Sequence, residues 1–532
     1  MHVLVCDPIS TRGIEYFKAR PEFRVTVLAK RLTEAELAPL LADVEAMVVR
    51  SETKVSKKVM EAAPRLRVVG RAGVGVDNVD VEAATQRGVV VMNTPGGNTV
   101  TTAELAFFML GALARKIPAA HASMCSGKWD RKLYQGTELL GKTLGVLGAG
   151  RIGTEVGRRA LAFGMRVVAY DPFLTDARAK ALGFEVASDP DGVYRESDFI
   201  TVHMPVTPET RGMLGAEAFA RMKPGVRIVN CARGEIVNET DLVAALTSGR
   251  VAGAALDVFM VEPLPADHPF RTLPNVVLTP HLGASTEEAQ EKCGLEVAEI
   301  LTAFLLTGEV RNAVNLPGVD AKTYELVKPY LVLGEKLGSL LAQLGPGSVD
   351  RIHITYGGRA RELPQTDPIT RAILGGYLRH GAVADINTIN VRSAAAALGL
   401  AVEEKRSDEV VTFNEWLHVQ LFHGNEKVLS AGGTFFGSPN NPRIVRLFST
   451  PVEIPVSGNV LLVRNEDRPG IVGKLGTVLA RHSVNIASMS LGRDARGGQA
   501  LTVLVLDSKP DAACIGEITA DPAIASARVI VL

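Results

Sequence analysis

Short apolar runs alternate with helix-like stretches through the N-terminal part of the chain. Five runs come first, each close to a helical or turn segment: HVLVCD, VTVLA, AMVVRS, LRVVGRAG and VVVMNTPG. A helix pattern, TAELAFFMLGALARKI, precedes six more: KTLGVLGAG, MRVVAYDP, FITVHMP, VRIVNCARG, GAALDVF and NVVLTPHLG. Apolar runs of this length, separated by helices, are typical of parallel sheets covered on both faces. The pattern therefore predicts two Rossmann-like, doubly wound α/β domains.

The pattern changes after Gly283, where a long helix-like stretch leads to VRNAVNLPGV. The Pro-Gly pair in that segment indicates a domain boundary. Residues 317–454 mix helix and strand patterns, which predicts an α+β domain, and SPNNPR within it is expected to form a turn or loop. Residues 455–532 give strand–helix–strand twice, which predicts a ferredoxin-like βαββαβ module.

Length and charge narrow the class of protein and of ligand. A chain of 532 residues is too long for a single core, which agrees with several domains. Its 58 Lys and Arg residues balance its 58 Asp and Glu residues, so no overall positive field attracts nucleic acid or a membrane surface. Any anionic ligand must therefore be held by local arginines.

Cysteine usage and hydropathy predict a cytoplasmic protein without a metal site. The five cysteines are scattered and form no CxxC pair, which argues against a disulfide framework and a zinc site and favours a reducing compartment. The N-terminal MHVLVCDP starts as a strand and lacks a signal-peptide pattern. The longest apolar stretch, residues 105–114, is too short to span a bilayer.

A glycine fingerprint in the second series of runs predicts a dinucleotide site. Gly148, Gly150 and Gly153 form GxGxxG between a strand and a helix, and Asp171 closes the next strand eighteen residues after Gly153. In that context the glycines allow a tight turn, close approach of the pyrophosphate and close helix packing. Asp171 would accept hydrogen bonds from the adenosine ribose and repel a 2′-phosphate, which favours NAD over NADP. The alternative is a glycine-rich turn followed by an exposed aspartate.

Three side chains that follow strands of this second domain are candidates for chemistry. Arg233, Glu262 and His281 lie in VNCARGEIV, VFMVEPLP and LTPHLGAS, just past apolar runs. An imidazole suits proton exchange with a hydroxyl, a carboxylate would orient it, and an arginine can bind a carboxylate with two hydrogen bonds. Taken singly, each has an ordinary interpretation: a charge at a strand's exit to solvent, a loop charge and a residue at a helix N-terminus.

These segments also carry a family resemblance. CARGEIV, LDVFMVEP, PHLGAST, GAGRIG and GRAGVGVDNVD resemble the D-isomer-specific 2-hydroxyacid dehydrogenases. The resemblance implies hydride transfer with NAD, and it assigns Arg233 to the substrate carboxylate, His281 to the acid/base role and Glu262 to support of the histidine. The cofactor contacts that the motifs and the resemblance imply are Gly148, Gly150, Arg151, Ile152, Gly153, Asp171, Cys231, Ala232, Asp257, Gly283 and Ala284.

The chain further resembles the long, four-domain members of this family, which oxidise D-3-phosphoglycerate to 3-phosphohydroxypyruvate in the first step of phosphorylated serine synthesis. That likeness implies a homodimer or homotetramer in which the Arg131 loop reaches a neighbouring subunit. The substrate contacts it implies are Arg50, Ser51, Arg71, Gly73, Arg131 and Lys132. For Arg131 and Lys132 the alternative is a solvated loop. Two or three arginine contacts would decide for a phosphorylated substrate, since each is worth about 1.5–3 kcal/mol.

The resemblance also implies a division of the chain into domains. The substrate-binding domain comprises residues 1–97 and 283–316, the NAD-binding domain residues 98–282, the intervening domain residues 317–454 and an ACT regulatory domain residues 455–532. In the last of these, Asp467 and Asn485 would contact an amino-acid effector, with L-serine as the candidate, across a dimer of modules. Some relatives carry a histidine where this chain has Asn465, and the alternative role of the module is oligomerisation alone.

Two other functions agree with parts of the sequence. A glyoxylate or hydroxypyruvate reductase would share the hydride chemistry but would not need Arg50, Arg71 and Arg131. A non-enzymatic, NAD(H)-sensing corepressor would share the dehydrogenase core, and the ACT-like module argues against it. We therefore expect an NAD-dependent dehydrogenase acting on a small phosphorylated substrate.

Overall fold

Four β-sheets organise the chain. The computed structural model describes residues 1–316, 321–345, 347–380, 386–437 and 441–532. Within these residues the sheets have five, seven, six and four strands. The predicted fold class is confirmed, because the first two sheets are parallel, the third is mixed and the fourth is an antiparallel βαββαβ sheet. Of the described helices, none combines the length and the apolar character needed to cross a bilayer.

The first sheet is parallel with strand order β2-β1-β3-β4-β5. Its central strand is buried along its whole length, which explains why it reads as an uninterrupted apolar run. The strands are β1 (His2–Val5), β2 (Arg24–Val27), β3 (Ala46–Val49), β4 (Val68–Arg71) and β5 (Val90–Asn93), and the helices between them are α1 (Thr11–Lys18), α2 (Glu34–Leu37), α3 (Lys57–Glu61) and α4 (Val81–Gln86).

The second sheet is parallel with strand order β12-β11-β10-β9-β6-β7-β8. Its elements, in chain order, are α5 (Thr99–Ala114), α6 (Ile117–Cys125), β6 (Thr143–Leu147), α7 (Arg151–Ala162), β7 (Arg166–Tyr170), α8 (Asp176–Leu182), β8 (Glu185–Val186), α9 (Pro190–Glu196), β9 (Phe199–Val202), α10 (Ala216–Arg221), β10 (Val226–Asn230), α11 (Glu239–Thr247), β11 (Val251–Leu256) and β12 (Val276–Leu278). The chain moves in one direction from β6 through β7 and in the other from β9, so the strand order reverses beside β6. Ligands of such sheets bind at the carboxyl edge near this reversal.

Helix α12 (Glu287–Thr307) returns the chain to the first sheet. Val297 and Leu301 of α12 pack where a Cβ on Gly70 of β4 would stand, at 2.7 Å from each, so this glycine lets the helix lie close to the sheet. Two details differ from the sequence expectation. The predicted single helix after Pro95 ends at Ala114 and resumes at Ile117, and the short exposed strand β8 has no apolar run to predict it.

The third sheet has strand order β14-β13-β15-β16-β17-β18 and packs its inner face on two helices, α13 and α14. Its elements are α13 (Ala321–Gln343), β13 (Arg351–Gly358), α14 (Asp367–Leu378), α15 (Val391–Ala397), β14 (Ala401–Ser407), β15 (Glu415–His423), β16 (Glu426–Phe435), β17 (Pro442–Leu447) and β18 (Thr450–Pro455). The loop prediction for SPNNPR is wrong at Pro442 and Arg443, which begin β17, and its residues 438–440 lie outside the described part, as does the Pro-Gly pair at 317–318.

The fourth sheet has strand order β20-β21-β19-β22 and confirms the predicted C-terminal module. Its elements are β19 (Asn459–Glu466), α16 (Ile471–Arg481), β20 (Ile486–Arg493), β21 (Gln499–Leu506), α17 (Ala512–Thr519) and β22 (Ile524–Val531). On one face of the sheet, Leu461 and Leu504 pack with α16 and α17. On the other face, Val460 and Leu462 are part of the hydrophobic core of the third sheet.

Candidate active site

His281 and Glu262 form an ion pair at the carboxyl edge of the second sheet. His281 Nδ1 lies 2.7 Å from Glu262 Oε2, with 47% and 37% of the two side chains exposed. The hydrogen bond to Glu262 raises the pKa of His281 against the opposing effect of burial. Burial works to raise the pKa of Glu262, but the hydrogen bond and charge of His281 outweigh it and hold that pKa below its usual value. His281 Nε2 has no hydrogen-bond partner among the described residues, which leaves it available to a ligand.

The segment that carries His281 is fixed by the buried carboxylate of Asp257. Asp257 Oδ1 accepts a hydrogen bond from the backbone N–H of Leu282 at 2.7 Å, and Oδ2 accepts one from that of Gly283 at 2.9 Å. Thr279 Oγ1 also donates to Oδ1. His281 itself takes a left-handed backbone conformation with φ of 55°, which is uncommon outside glycine and is typical of functional sites. Asp257, a predicted cofactor contact, therefore also shapes the segment that carries His281.

A second carboxylate, Glu239, fixes the segment that carries Glu262. Glu239 Oε1 accepts a hydrogen bond from Met260 N at 2.9 Å, and its Oε2 lies 3.3 Å from His268 Nε2. Glu262 Oε1 accepts one from Phe259 N at 3.1 Å. The segment lies directly on Gly234, since a Cβ there would stand 2.0 Å from the Phe259 carbonyl carbon.

Arg233 follows β10 and crosses to the first sheet's domain. Its Nε and Nη2 both contact Asp77 Oδ2, at 3.0 and 2.9 Å, and its Nη1 donates to Ala232 O at 2.6 Å. The backbone at Gly75 lies against the guanidinium, because a Cβ there would be 1.8 Å from Nη2. Arg233 is 29% exposed, so it borders the cleft instead of pointing freely into solvent.

Arg71, the last residue of β4, lies near Arg233 and Arg50 with a buried Nε that has no hydrogen-bond partner. Burial, together with the charges of Arg233 and Arg50, lowers its pKa to about 10, and Cys293 and Asp77 act in the opposite direction. The guanidinium groups of Arg50, Arg71 and Arg233 thus lie near one another, and Asp77 neutralises only part of their positive charge. This arrangement favours an anionic ligand.

The remaining substrate-site candidates occupy two different places. Gly73 adopts a φ of 148° beneath the Arg71 guanidinium, where a Cβ would stand 1.5 Å from Nη1, and exposed Ser51 follows Arg50 after β3. Arg131 and Lys132 lie in an exposed 3-10 turn, Arg131–Tyr134, after α6. Within the described residues, neither makes a hydrogen bond or ion pair with Arg50 or Arg71.

The glycine fingerprint forms the turn that a dinucleotide requires. Gly148 has a φ of 95°, and a Cβ on Gly153 would stand 2.0 Å from Gly148 O. Gly150 is the N-cap of α7 without a side-chain cap, and no atom lies within 4 Å of where its Cβ would be. The first N–H groups of α7 are therefore open to a pyrophosphate, so these residues fit NAD.

The acidic partner of the fingerprint also fits NAD. Asp171 follows β7 and uses Oδ1 to accept from Phe173 N at 2.8 Å, while its Oδ2 has no partner among the described residues and is available to a ribose. Of the other predicted contacts, Arg151 is exposed, Ile152 and Ala232 are half-buried, and Cys231 is buried, which raises the pKa of its thiol. Gly283 and Ala284 lie two and three residues after His281, and Ala284 lines the cleft beside Arg50.

The two predicted effector residues lie at opposite ends of the fourth sheet. Asp467 follows β19, where its Oδ2 accepts from Arg493 Nη1 at 2.8 Å. Asn485 precedes β20 and donates from Nδ2 to Asp507 Oδ2 at 2.7 Å, at the other end of that strand. Asn465 is buried and bonded to its own module through Thr502 Oγ1 at 2.9 Å. One chain therefore does not bring Asp467 and Asn485 together.

Several residues of the cleft were not predicted. Asp7, Asp77, Asn78 and Glu239 fix the segments around Arg50, Arg233 and Glu262. Asp7 lies just past the end of β1, as Arg50 lies just past the end of β3, so the same rule that selected the arginines could have found it. Among the described residues, no group of three or more His, Cys, Asp or Glu side chains is placed to hold a metal ion.

Three family models match successive parts of the chain. Residues 107–283 match the D-isomer specific 2-hydroxyacid dehydrogenase NAD binding domain, residues 326–448 the D-3-phosphoglycerate dehydrogenase intervening domain, and residues 459–522 the ACT domain.

Full-length relatives and a solved structure agree with these matches. The chain is 42% identical over 521 residues to D-3-phosphoglycerate dehydrogenase of Archaeoglobus fulgidus, covering 98% of each chain. It is 42% identical over 517 residues to that of Synechocystis sp., covering 97% of this chain and 92% of the relative. Among solved structures, NAD-dependent formate dehydrogenase of Staphylococcus aureus in complex with NAD is similar with a TM-score of 0.53 and 31% identity, over 60% of this chain and 100% of that one.

Proposed function

The chain belongs to the D-3-phosphoglycerate dehydrogenases of the D-isomer specific 2-hydroxyacid dehydrogenase family, and from that premise we propose how its residues oxidise D-3-phosphoglycerate to 3-phosphohydroxypyruvate with NAD. The observation that carries the assignment of residues is the His281–Glu262 pair, at 2.7 Å, beside three converging arginines. The pair supplies proton transfer, and the arginines supply binding for a substrate that is anionic at both ends.

His281 is the acid/base residue of this proposal. Its Nε2, which has no partner among the described residues, receives the proton of the C2 hydroxyl during oxidation and returns it during reduction. Glu262 stabilises the imidazolium and holds Nδ1, so that the free nitrogen stays at the cleft. Bound NAD supplies the hydride acceptor.

The arginines bind the two ends of the substrate. Arg233 takes the C1 carboxylate, which places the C2 hydroxyl near His281 and polarises the carbonyl that forms. Arg50, Ser51 and Arg71, with the turn at Gly73, take the phosphate, and the unpartnered Nε of Arg71 supports this role.

Arg131 and Lys132 complete the phosphate site from a second copy of the chain in this proposal. Leu133 in their turn and Trp129 just before it are 65% and 75% exposed, beside a mainly apolar cavity of about 210 Å³. Apolar surface of this kind is typical of subunit contacts. We accordingly propose a homodimer or homotetramer, which sedimentation or light scattering of the full chain would measure.

A comparison of two substrates tests the proposed function. NADH-linked reduction of 3-phosphohydroxypyruvate is compared with that of hydroxypyruvate by loss of nicotinamide absorbance. We expect kcat/KM to be about a hundredfold or more higher for the phosphorylated substrate, since two or three arginine–phosphate contacts separate the two. Equal values would instead favour a general glyoxylate or hydroxypyruvate reductase and leave the hydride chemistry unchanged.

We further propose that the ACT module binds L-serine between two copies, with Asp467 from one and Asn485 from the other. Their separation along β20 within one chain supports a site that needs a partner. Serine at millimolar concentration should lower the steady-state rate, in phosphate and in low-salt buffers, and Asp467→Ala should abolish the effect. Rates that do not respond to serine in either buffer would leave the module with an assembly role.

The domain limits stay a proposal: residues 1–97 and 283–316 for substrate binding, 98–282 for NAD, 317–454 for the intervening domain and 455–532 for the ACT domain. The separate sheets and the return of α12 to the first sheet support the discontinuous first domain. Limited proteolysis with identification of the cut sites would test the limits.

A further inference from the structure

Two neighbouring residues after β4, Asp77 and Asn78, connect the parts of the cleft that are assigned to opposite ends of the substrate. Asp77 contacts Arg233, and Asn78 binds the segment that begins with Arg50. We propose that this pair is the spacer that determines specificity for a phosphorylated 2-hydroxy acid, because it fixes the separation between the carboxylate-binding and phosphate-binding cations. The inference rests on the proposed function and adds to it the residues that set the length of the substrate.

Asp77 controls the orientation of Arg233 from across the cleft. An arginine has five N–H donors, and the hydrogen bonds from Nε to Asp77 and from Nη1 to the carbonyl of Ala232 use two of them, while Nη2 also lies 2.9 Å from Asp77 Oδ2. Nη1 and Nη2 each keep a donor for a ligand, and two such donors can bind a carboxylate with two parallel hydrogen bonds. Asp77 therefore leaves the substrate-binding edge of Arg233 open while it holds the opposite edge.

Asn78 controls the position of the Arg50 segment. Its Nδ2 donates to the carbonyl oxygens of Arg50 at 2.8 Å and Thr53 at 2.6 Å. From the other side, buried Asp7 accepts from the backbone N–H groups of the same two residues at 2.6 and 3.1 Å. The backbone of Arg50 and Thr53 is thus held through both its N–H groups and its carbonyl oxygens.

The backbone after Asn78 strengthens this attachment. Val55 N donates to Asn78 O at 2.8 Å, and Asp80 N donates to Val55 O at 2.9 Å, which forms an isolated parallel bridge between Val55 and Val79. The Arg50 segment cannot move along β4 without breaking these hydrogen bonds. Because Asp77 contacts Arg233 and its neighbour Asn78 holds this segment, the two adjacent residues fix the distance between Arg233 and Arg50.

The spacer makes a distinction that can be measured. A substrate with a carboxylate alone needs Arg233 but not the Arg50 segment, whereas a phosphorylated substrate needs both at the correct separation. Loss of Asn78 should therefore lower kcat/KM only for the phosphorylated substrate, whereas loss of Asp77 should lower it for both substrates.

The experiment measures kcat and KM of the full-length enzyme for NADH-linked reduction of 3-phosphohydroxypyruvate and of hydroxypyruvate. In Asn78→Ala we expect kcat/KM for the phosphorylated substrate to fall about tenfold or more, with a change of less than about threefold for hydroxypyruvate. An unchanged ratio of the two values would overturn the role of Asn78. A wild-type enzyme that does not prefer the phosphorylated substrate would instead overturn the proposed function, and the spacer with it.

Asp77→Ala provides the second arm. We expect KM to rise about tenfold for both substrates, with kcat changed less, because Arg233 loses its orientation. A fall in KM would show that Asp77 only competes with the substrate for Arg233, which would overturn its positioning role.

Asn315→Ala is the matched control for loss of a structural asparagine in the same domain. The side chain of Asn315 makes three hydrogen bonds, to Val91 N, Thr85 Oγ1 and Val89 O, at 2.9, 3.1 and 2.8 Å, against two for the side chain of Asn78, and none of the three involves the cleft. Its ratio of the two kcat/KM values should equal that of the wild type. A ratio that falls as it does in Asn78→Ala would show that general loosening of the domain explains the effect.

Discussion

The NAD-binding part of the chain contains two histidine–glutamate pairs, and their difference indicates which of the two histidines can exchange a proton with a ligand. His281 Nδ1 lies 2.7 Å from Glu262, and His268 Nε2 lies 3.3 Å from Glu239. The second pair is the more buried, with side chains 17% and 15% exposed, against 47% and 37% for the first. Proximity of an imidazole and a carboxylate therefore does not distinguish them.

The use of the second ring nitrogen does distinguish them. His268 Nδ1 accepts a hydrogen bond from Phe270 N at 3.3 Å, and its Nε2 lies against Glu239, so both ring nitrogens have a polar partner. The ring also packs 4.6 Å from that of Phe270. His281 has a bonded Nδ1 and an Nε2 with no partner among the described residues. A histidine with both nitrogens occupied holds structure, whereas one with a free nitrogen at the cleft can exchange a proton.

The largest effect should follow removal of the free nitrogen. His281→Ala should lower kcat about 100- to 10,000-fold, because no other described side chain takes its position as acid and base. NAD binding should be nearly unchanged, since the fingerprint and Asp171 are untouched. Steady-state rates and a fluorescence titration of NADH measure the two quantities. A loss of less than about tenfold would remove His281 from the mechanism and erase the distinction between the pairs.

The next effect concerns the charge of Glu262. In Glu262→Gln the side chain keeps its size but loses the carboxylate whose hydrogen bond and charge raise the pKa of His281, so that pKa should fall. Reduction needs protonated His281 and is lost as pH rises through its pKa, so its pH profile should move to lower pH. The rate at neutral pH should then fall about tenfold for each unit by which the pKa lies below the assay pH. The measurement is kcat for reduction from pH 5 to 9.

Oxidation supplies the matched control for Glu262→Gln. It requires neutral His281, so its rate at high pH should suffer much less than the rate of reduction at neutral pH. Identical pH profiles for wild type and variant would mean that Glu262 does not set the protonation of His281.

The sequence was sufficient for the fold wherever burial produced a long apolar run. The four residues of β3 are all buried and could be read directly, and so could the GxGxxG turn before α7. Strand β8 was missed because its two residues, Glu185 and Val186, are both exposed at the sheet edge. A two-residue edge strand forms through its hydrogen bonds to the adjacent strand, here β7, and is too short to show an alternating pattern of its own.

The site was predictable only in part for a related reason. Arg233 and His281 follow strands of a parallel sheet, and that rule alone places them at one edge. Asn78 and Asp7 act on the backbone of residues 28 and 43 positions away, through hydrogen bonds that leave no periodicity or motif in the sequence. Residues that bind ligands by side-chain chemistry can be read from residue type, whereas those that position backbone need the structure.

A smaller effect should follow removal of Glu239, the carboxylate of the buried pair. Glu239→Ala leaves Met260 N without its 2.9 Å partner and loosens the segment that carries Glu262. One hydrogen bond of about 0.5–1.5 kcal/mol corresponds to a loss of about two- to tenfold in kcat. The pH profile should keep its position, because Glu262 and its charge remain. A shift of the profile like that of Glu262→Gln would mean that Glu239 acts on the protonation of His281.

The smallest effect on activity should come from His268. His268→Ala removes a ring that contacts Phe270 and Glu239 but makes no hydrogen bond to Glu262 or His281, so kcat should stay within about twofold of the wild type and its pH profile should keep its position. The cost should appear in stability, at about 1–2 kcal/mol for a lost hydrogen bond and its packing. Because a chain of several domains need not unfold in one step, the midpoint of thermal inactivation is the suitable measure. If His268→Ala lowered kcat as much as His281→Ala, the free nitrogen would not be what separates the two pairs. An imidazole without access to the cleft would then be part of the chemistry.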